Sequence, residues 1–239
     1  MIIENKVAIV TGASSGIGYE FSKKLVEKGA TVYGLARSED KLKKIKTELG
    51  DTFIPVKMDV TQSGDLEKWV NSTFKNFPSP DILVNNAGLA HFGNVDELSL
   101  VDWETMMNTN VNGIFYLTRL IVPLMKKSGQ GSHIINIASV AGLLGNPQLS
   151  GYNASKFAVR GFSEALFKEL RYDQIKVTCM YPGSTATSFF DDVGGTHKNM
   201  MQGSDVADTL VHIIETPDNF LINEIMLRPL NPKNPDENA

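Results

Sequence analysis

The chain has 239 residues, of which 42% are hydrophobic and 21% charged, and its formal net charge is −4. This composition is typical of a globular protein, and without a basic block we expect neither nucleic acid nor a membrane surface as the main partner. No apolar run approaches the ~18 residues of a membrane-spanning helix, and the first residues lack a signal-peptide layout. We therefore expect a soluble, cytoplasmic protein. Its single cysteine, Cys179, excludes an intrachain disulfide and lies in an apolar run that predicts burial.

A glycine-rich turn lies between the first predicted strand and the first predicted helix. Residues 6–10 form a short run rich in apolar and β-branched side chains, and the helical pattern that follows stops before Gly29. The spacing Gly12-x3-Gly16-x-Gly18 allows a tight turn and a helix N-terminus that can face a phosphate. The turn therefore predicts a phosphate-binding site.

The second predicted strand, residues 31–36, ends directly before Arg37. In a dinucleotide-binding fold, an acidic residue at this place binds the ribose 2′-hydroxyl of NAD. Here no carboxylate would repel a 2′-phosphate, and the guanidinium of Arg37 can pair with one. The pattern favours NADP over NAD; the alternative is that Arg37 is a solvated loop charge. Ser38 is a candidate N-cap of the next helix.

Polar residues stand at the ends of the next two predicted strands. Asp59 follows the third strand, and it either reaches an adenine ring or caps a helix that begins near Thr61. Asn85 and Asn86 follow the fourth strand, residues 81–84. Because buried amides need hydrogen-bond partners, these asparagines either tie neighbouring strands together, contact the cofactor, or do both.

A long helix is predicted over residues 100–127, with Asn108, Asn110 and Asn112 in its middle. Asparagine is a poor residue for a helix interior, so three of them predict a local irregularity. We expect Asn108 and Asn112 to face water.

The fifth strand ends in Ser139, and an apolar loop joins it to a helix that begins at Tyr152. Tyr152 and Lys156 share one face of that helix, one turn apart. A free tyrosine titrates near ~10, and a neighbouring cation, with help from a bound cationic cofactor, lowers that pKa toward the range useful for acid–base catalysis. Such a pair also occurs on many solvated helices, so the interpretation depends on the rest of the chain.

The remaining chain contains a region with little regular pattern, residues 188–203, which holds large apolar groups. We interpret it as a lid over an apolar substrate, with a partly disordered loop as the alternative. A polar tail without an assigned role begins near residue 232. Three further elements are predicted: a strand over 176–181, a helix from Ser204 to about residue 215, and a strand over 223–227.

The alternation of strands and helices predicts one domain over residues 1–239. Its fold class is α/β, a Rossmann-type doubly wound parallel sheet of about seven strands flanked by helices, in the order 3-2-1-4-5-6-7. The four histidines are scattered along the chain, so no metal site is expected.

Five motifs, in this order, resemble the short-chain dehydrogenase/reductase family over residues 6–230. They are the glycine turn, Asn85-Asn-Ala-Gly88, Ser139, Tyr152-x3-Lys156 and Pro182-Gly183. The resemblance implies an NAD(P)-dependent oxidoreductase that interconverts a carbonyl and an alcohol by hydride transfer. Arg37 matches the basic position of the NADP-preferring members, so we expect NADP(H) as cofactor and a secondary alcohol as the reduced substrate.

The resemblance also implies the roles of individual residues. Tyr152 is the general acid–base, Lys156 lowers its pKa and holds the nicotinamide ribose, Ser139 binds the substrate oxygen, and Asn110 supports a proton relay. The substrate would contact Ser139, Tyr152 and the loop residues Leu144 and Gln148. The residues implied in cofactor binding are Gly12, Ser14, Ser15, Gly16, Ile17, Gly18, Arg37, Asp59, Val60, Asn86, Ala87, Gly88, Tyr152, Lys156, Pro182, Gly183, Thr185 and Thr187.

The chain departs from the NADP-preferring pattern in the glycine turn, where Ser15 stands in place of a basic residue, so the prediction of NADP rests mostly on Arg37. The loops expected to line the pocket are mostly apolar, without an arginine or lysine placed to bind a carboxylate. We expect a small or medium ketone, aldehyde or 3-oxoacyl substrate, as for 3-oxoacyl-carrier-protein reductases and 3-hydroxy-acid dehydrogenases. The alternatives are an NAD-dependent dehydrogenase and a non-catalytic NADP-sensing protein. A homodimer or homotetramer is expected through the helices at 100–127 and 152–171.

Overall fold

The computed structural model describes residues 1–76, 78–190 and 195–232. Its strands, in chain order, are β1 (Val7–Thr11), β2 (Thr31–Ala36), β3 (Phe53–Lys57), β4 (Ile82–Asn85), β5 (Ser132–Ile137), β6 (Ile175–Pro182), β7 (Thr185–Ala186), β8 (Met201–Gln202) and β9 (Glu224–Leu227). Its helices are α1 (Gly16–Glu27), α2 (Glu39–Leu49), α3 (Ser63–Thr73), α4 (Leu100–Met107), α5 (Gly113–Ser128), α6 (Ser150–Leu170) and α7 (Gly203–Ile214).

Seven of the strands form one parallel sheet in the order β3-β2-β1-β4-β5-β6-β9. This confirms the predicted Rossmann-type sheet and its strand order, with β9 as the seventh strand. The two short strands, β7 and β8, pair with each other outside the main sheet, where little regular structure was expected.

The sheet is covered on both faces because its strands carry apolar side chains on both faces. Ala8 and Val10 of β1 belong to the cluster that α1, α2 and α7 cover. Ile9 belongs to the cluster under α3, α5 and α6. The helices therefore form two layers around the sheet, and the carboxyl ends of all seven strands open at the same edge.

The helix predicted over 100–127 contains the expected irregularity. A π-helical turn, Asn108–Asn112, separates α4 from α5. Asn110 is fully buried, whereas Asn108 is exposed and accepts a hydrogen bond from the Asn112 amide at 2.8 Å. The side chain of Asn110 can therefore turn inward while its neighbours stay at the surface.

Several predicted helix starts are corrected. Helix α7 begins at Gly203, where Gln202 and Asp205 form a capping box, so Ser204 is not the cap. Ser38 holds the N-cap position of α2, but its side chain makes no capping hydrogen bond. Helix α6 begins at Ser150, two residues before Tyr152.

The predicted lid and tail fall partly outside the described residues. Residues 191–194 of the lid and 233–239 of the tail are not described. Within the described ranges, no helix is long and apolar enough to cross a membrane. Cys179 is buried in β6, as predicted.

Candidate active site

A cleft of about 950 Å³ opens at the carboxyl edge of the sheet. It runs from the end of β2 past the glycine turn to the start of α6 and the end of β9. Ligands of open α/β sheets bind at this edge, outside the carboxyl ends of the strands. Every residue predicted to bind the cofactor lines this cleft.

The glycine turn is shaped for close approach of a ligand. Gly12 and Gly16 have φ values of +68° and +55°, which favour glycine. A Cβ on Gly18 would lie 2.3 Å from the carbonyl oxygen of Gly12, so α1 can begin this close to the turn only with glycine there. The N-terminus of α1 faces the cleft, where its free N–H groups can bind a phosphate.

The two asparagines at the end of β4 hold the sheet together: Asn85 is the last residue of the strand and Asn86 follows it. Asn85 donates from Nδ2 to Asn136 at 2.8 Å and to Thr118 at 3.0 Å. Asn86 donates from Nδ2 to the Thr11 carbonyl oxygen at 2.9 Å. The strand-tying alternative is therefore correct for both residues, and Asn86 also lines the cleft.

The end of the cleft at β2 carries positive charge. Arg37 and Lys41 both line it, both are exposed, and neither forms an ion pair with a described residue. Asp59 lines the same end, and its Oδ1 accepts hydrogen bonds from the Thr61 N–H at 2.9 Å and hydroxyl at 2.8 Å. The Asp59 side chain therefore stabilises a turn, and the N-cap of α3 is Gln62.

Ser139, Tyr152 and Lys156 meet at the other end of the cleft. Ser139 is held in extended conformation by the Ala141 N–H, which donates to its Oγ at 3.2 Å. The Ser139 hydroxyl is near enough to the Tyr152 phenol to act on its pKa. Lys156 donates from Nζ to the Ile137 carbonyl oxygen at 2.9 Å, and its Nζ lies 5.7 Å from the centroid of the Tyr152 ring.

Burial shifts the pKa values of Tyr152 and Lys156 in opposite directions. Burial raises the pKa of Tyr152 to about 12, although the neighbouring Ser139 hydroxyl acts in the opposite direction. It lowers the pKa of Lys156 to about 8. The expected depression of the Tyr152 pKa is therefore absent here, because burial acts more strongly than the neighbouring Ser139 hydroxyl.

Asn110 lies behind the cleft and does not line it. Its Nδ2 donates to the Leu89 carbonyl oxygen at 2.8 Å and to Ser155 Oγ at 2.9 Å, and its Oδ1 accepts from the Leu89 N–H at 2.9 Å. Ser155 donates to the Tyr152 carbonyl oxygen at 2.7 Å. Asn110 thus connects the β4 loop to the first turn of α6, with its amide occupied by these contacts.

Gln148 is the one predicted substrate residue that lies outside the cleft. It adopts a left-handed turn with φ of +62°, its side chain is exposed, and its carbonyl oxygen accepts from the Gly93 N–H at 2.9 Å. Leu144 lines the cleft as predicted, together with Asn146 and Leu149.

Three features at the Tyr152 end of the cleft were not predicted from the sequence. Asn153 donates to the carbonyl oxygens of Ala141 at 2.6 Å and Leu144 at 2.5 Å, which fixes the loop before α6. Phe189 packs against the Tyr152 ring with a centroid distance of 5.9 Å. An asparagine in the first turn of α6 was the available sequence signal. Phe189 was expected in the lid over the substrate, but its contact with the Tyr152 ring was not.

A third feature corrects the expectation of a pocket without cations. Arg228, which directly follows β9, lines the cleft and is exposed. Sequence reasoning missed it because the order of strands places it beside Gly183, whereas the chain separates the two. Within the described ranges, no three His, Cys, Asp or Glu side chains are grouped as a metal site.

The fold and the cleft together define a Rossmann-type protein with a site at the carboxyl edge of its sheet. A family model described as short chain dehydrogenase matches residues 6–197. The chain is 31% identical over 228 residues to an uncharacterized oxidoreductase of Staphylococcus epidermidis, covering 95% of this chain and 99% of the relative.

Two solved structures are similar over nearly the whole chain. The closed form of serine dehydrogenase complexed with NADP+ has a TM-score of 0.87 and 32% identity, covering 94% of this chain and 95% of that one. The 3-ketoacyl-(acyl-carrier-protein) reductase of Brucella melitensis complexed with NADH has a TM-score of 0.84 and 28% identity, covering 94% and 97%. The chain belongs to the short-chain dehydrogenase/reductase family of oxidoreductases.

Proposed function

We propose that the protein is an NADP(H)-dependent oxidoreductase that interconverts a carbonyl compound and a secondary alcohol, with Tyr152 as general acid–base. The observation that carries this proposal is the convergence of Ser139, Tyr152 and Lys156 at one end of a cleft whose middle is a glycine turn. A binding protein has no need of a phenol, a hydroxyl and an ammonium grouped in this way.

The residues of the cleft fit a dinucleotide. The glycine turn and the N-terminus of α1 would hold the pyrophosphate. A Cβ on Gly88 would lie 3.2 Å from Asn110 Oδ1 and 3.3 Å from Lys156 Nζ, so glycine there leaves room for a ligand beside the lysine. When bound, the nicotinamide supplies or accepts the hydride.

Tyr152 exchanges the proton with the substrate oxygen. With its pKa at about 12, the phenol is protonated at neutral pH and can donate to a carbonyl that is being reduced. The Ser139 hydroxyl lies beside it and can donate to the same oxygen, where negative charge develops. At neutral pH, both hydroxyl groups are thus protonated and can assist the reduction of the carbonyl.

Lys156 supplies the positive charge of the site. With a pKa of about 8, its ammonium remains mostly protonated at pH 7. The charge favours the phenolate that remains after Tyr152 has given up its proton. Asn110 acts through Ser155 and the Leu89 backbone, so we assign it a positioning role.

The preference for NADP rests on the end of the cleft at β2. Arg37 and Lys41 can pair with a 2′-phosphate, and no carboxylate stands at the end of β2 to bind a 2′-hydroxyl. The neighbour complexed with NADP+ supports this preference, and the neighbour complexed with NADH supports the NAD-dependent alternative.

The apolar part of the substrate would pack against side chains from three loops. Phe92, Leu144 and Leu149 line the cleft near Tyr152, and Phe189 lies against its ring. The described part of the lid thus contributes an aromatic wall. We propose a small or medium carbonyl compound as substrate.

We also propose that the protein is a homodimer or homotetramer. Large apolar side chains are exposed on α4, α5 and α6, among them Leu100 at 79%, Phe115 at 48% and Phe157 at 41% exposure. Light scattering should give a mass of two or four chains, and Phe115→Glu should reduce it; a monomeric wild-type protein contradicts the proposal.

The test of the function is a fluorescence titration with NADPH and NADH, followed by a panel of ketones, aldehydes and 3-oxoacyl compounds. We expect tighter binding of NADPH and its oxidation by some members of the panel. Binding of NADPH without oxidation by any carbonyl would support the sensing alternative. Tighter binding of NADH would overturn the role given to Arg37.

A further inference from the structure

Arg228 places a cation at the end of the cleft where the substrate reacts. We propose that Arg228 binds a carboxylate of the substrate, so that the protein acts on an oxo acid and its hydroxy acid. This inference rests on the function proposed above and narrows its substrate class.

The order of the strands separates Arg228 from the cofactor phosphates. Arg37 follows β2 and Arg228 follows β9, and five strand spacings of about 4.8 Å separate them, or roughly 24 Å. From β1, where the glycine turn begins, to β9 the separation is roughly 19 Å. Arg228 therefore faces a part of the ligand beyond the pyrophosphate.

Arg228 lies on the face of the sheet that is covered by α6, the helix that carries Tyr152 and Lys156. Glu224 of β9 accepts hydrogen bonds from Arg160 of α6 at 3.2 Å and from Tyr181 at 2.6 Å. Because side chains alternate along a strand, Arg228 shares the face of Glu224.

Arg228 also reaches the level of Tyr152. From Glu224, four residues of extended chain advance about 13 Å toward the cleft. From Arg160, eight residues of helix lead back to Tyr152 over about 12 Å. Both side chains thus arrive at the carboxyl edge of the sheet, and both line the cleft.

The guanidinium of Arg228 is available for a ligand. It is exposed and forms no ion pair with a described residue. The Gly183 N–H donates to the Leu227 carbonyl oxygen at 2.8 Å, so the backbone directly before Arg228 is held in place. A planar guanidinium on a fixed backbone suits bidentate binding of a carboxylate.

The experiment separates binding of the carboxylate from turnover. Thermal shift titrations of the protein saturated with NADP+ use butanoate and the neutral butanamide as probes. The variants are Arg228→Met and Arg228→Lys, and Lys127→Met is the control, which removes a cation at the opposite edge of the sheet. A second arm measures NADPH oxidation by 3-oxobutanoate and by its methyl ester.

We expect butanoate to stabilise the wild type and the control. Arg228→Met should weaken its binding roughly 10- to 100-fold, with a smaller loss in Arg228→Lys, while butanamide is unaffected. The kcat/KM for 3-oxobutanoate should fall by a similar factor, with that of the ester unchanged.

Equal butanoate binding by the wild type and Arg228→Met, or no binding by the wild type, overturns the inference. Turnover of the ester in that case leaves the oxidoreductase function standing. If butanoate binds through Arg228 but neither compound is reduced, the carboxylate site stands and the proposed function fails.

Discussion

The two edges of the sheet each hold a buried base, His133 at the amino edge and Lys156 at the carboxyl edge. Their side chains are 1% and 4% exposed, and burial lowers the pKa of His133 to about 3 and that of Lys156 to about 8. His133 is enclosed by the fold, whereas Lys156 borders a cleft. The titration of His133 therefore affects only the stability of the protein, whereas the titration of Lys156 also affects the chemistry of the cleft.

The surroundings of His133 show what a purely structural base looks like. Its Nε2 lies 2.8 Å from the Thr178 hydroxyl, which donates to the Ile222 carbonyl oxygen at 2.6 Å, so the imidazole donates from Nε2. Its Nδ1 has no hydrogen-bond partner among the described residues. The nearby charges of Lys176 and the N-terminal amine add to the disadvantage of a protonated imidazole.

The largest expected effect tests the chemistry of the carboxyl edge. Tyr152→Phe removes the proton donor, so kcat/KM should fall at least ~10³-fold while NADPH affinity stays close to that of the wild type. Steady-state kinetics and fluorescence titration measure the two quantities. Tyr172→Phe, an exposed tyrosine just beyond α6, is the matched control, and substantial turnover by Tyr152→Phe would contradict the assigned acid.

The second largest effect is on the pH dependence of stability, and it tests His133 at the amino edge of the sheet. The folded-state pKa of His133 lies below its usual 6.5, so the unfolded chain binds a proton that the native protein excludes, and stability falls as pH drops from 6.5 toward 3. Between pH 7 and 5, the wild type should lose about 2 kcal/mol more stability than His133→Gln. Urea unfolding at both pH values gives the difference. The exposed His212→Gln should behave as the wild type, and equal losses in all three proteins would refute this account.

A smaller effect of the same sign, at higher pH, is expected for Lys156. Its folded-state pKa of about 8 lies below the usual 10.5, so burying the charged ammonium destabilises the native protein below pH 8, and this disadvantage disappears as pH rises to 10.5. The pKa difference corresponds to about 3 kcal/mol, reduced by the loss of the hydrogen bond to Ile137.

Lys156→Met should therefore raise the free energy of unfolding at pH 7 by about 1–2 kcal/mol and greatly reduce turnover. Urea unfolding and kinetics on the same preparations provide the test, with Lys127→Met as control. A loss of stability in Lys156→Met would contradict this prediction and would show that the role of Lys156 is structural, like that of His133.

The smallest expected effect concerns Arg37, at the end of the cleft next to β2. Arg37→Met should weaken NADPH binding about 10-fold, because one charge-assisted contact with a phosphate is lost, and leave NADH binding unchanged. Fluorescence titration with both cofactors measures the ratio. An equal loss for both would place Arg37 outside the 2′-phosphate site.

The sequence alone determined the strand order, the cleft and the residues around it, because these follow from short-range patterns. Apolar runs, a glycine turn and polar residues at strand ends each predicted a local structure, and parallel strands bring their ends to one edge. The irregularity at Asn108–Asn112 was also visible, since asparagines interrupt a helical pattern.

The tertiary structure decided what depends on burial and on neighbours distant in the chain. It raised the pKa of Tyr152 where a lowered one was expected, because the ring packs against Phe189 and lies inside the fold. It turned Gln148 to solvent through a left-handed backbone and brought Arg228 beside Gly183. Desolvation and contacts between distant segments arise only when the chain is folded, so no local pattern carried them.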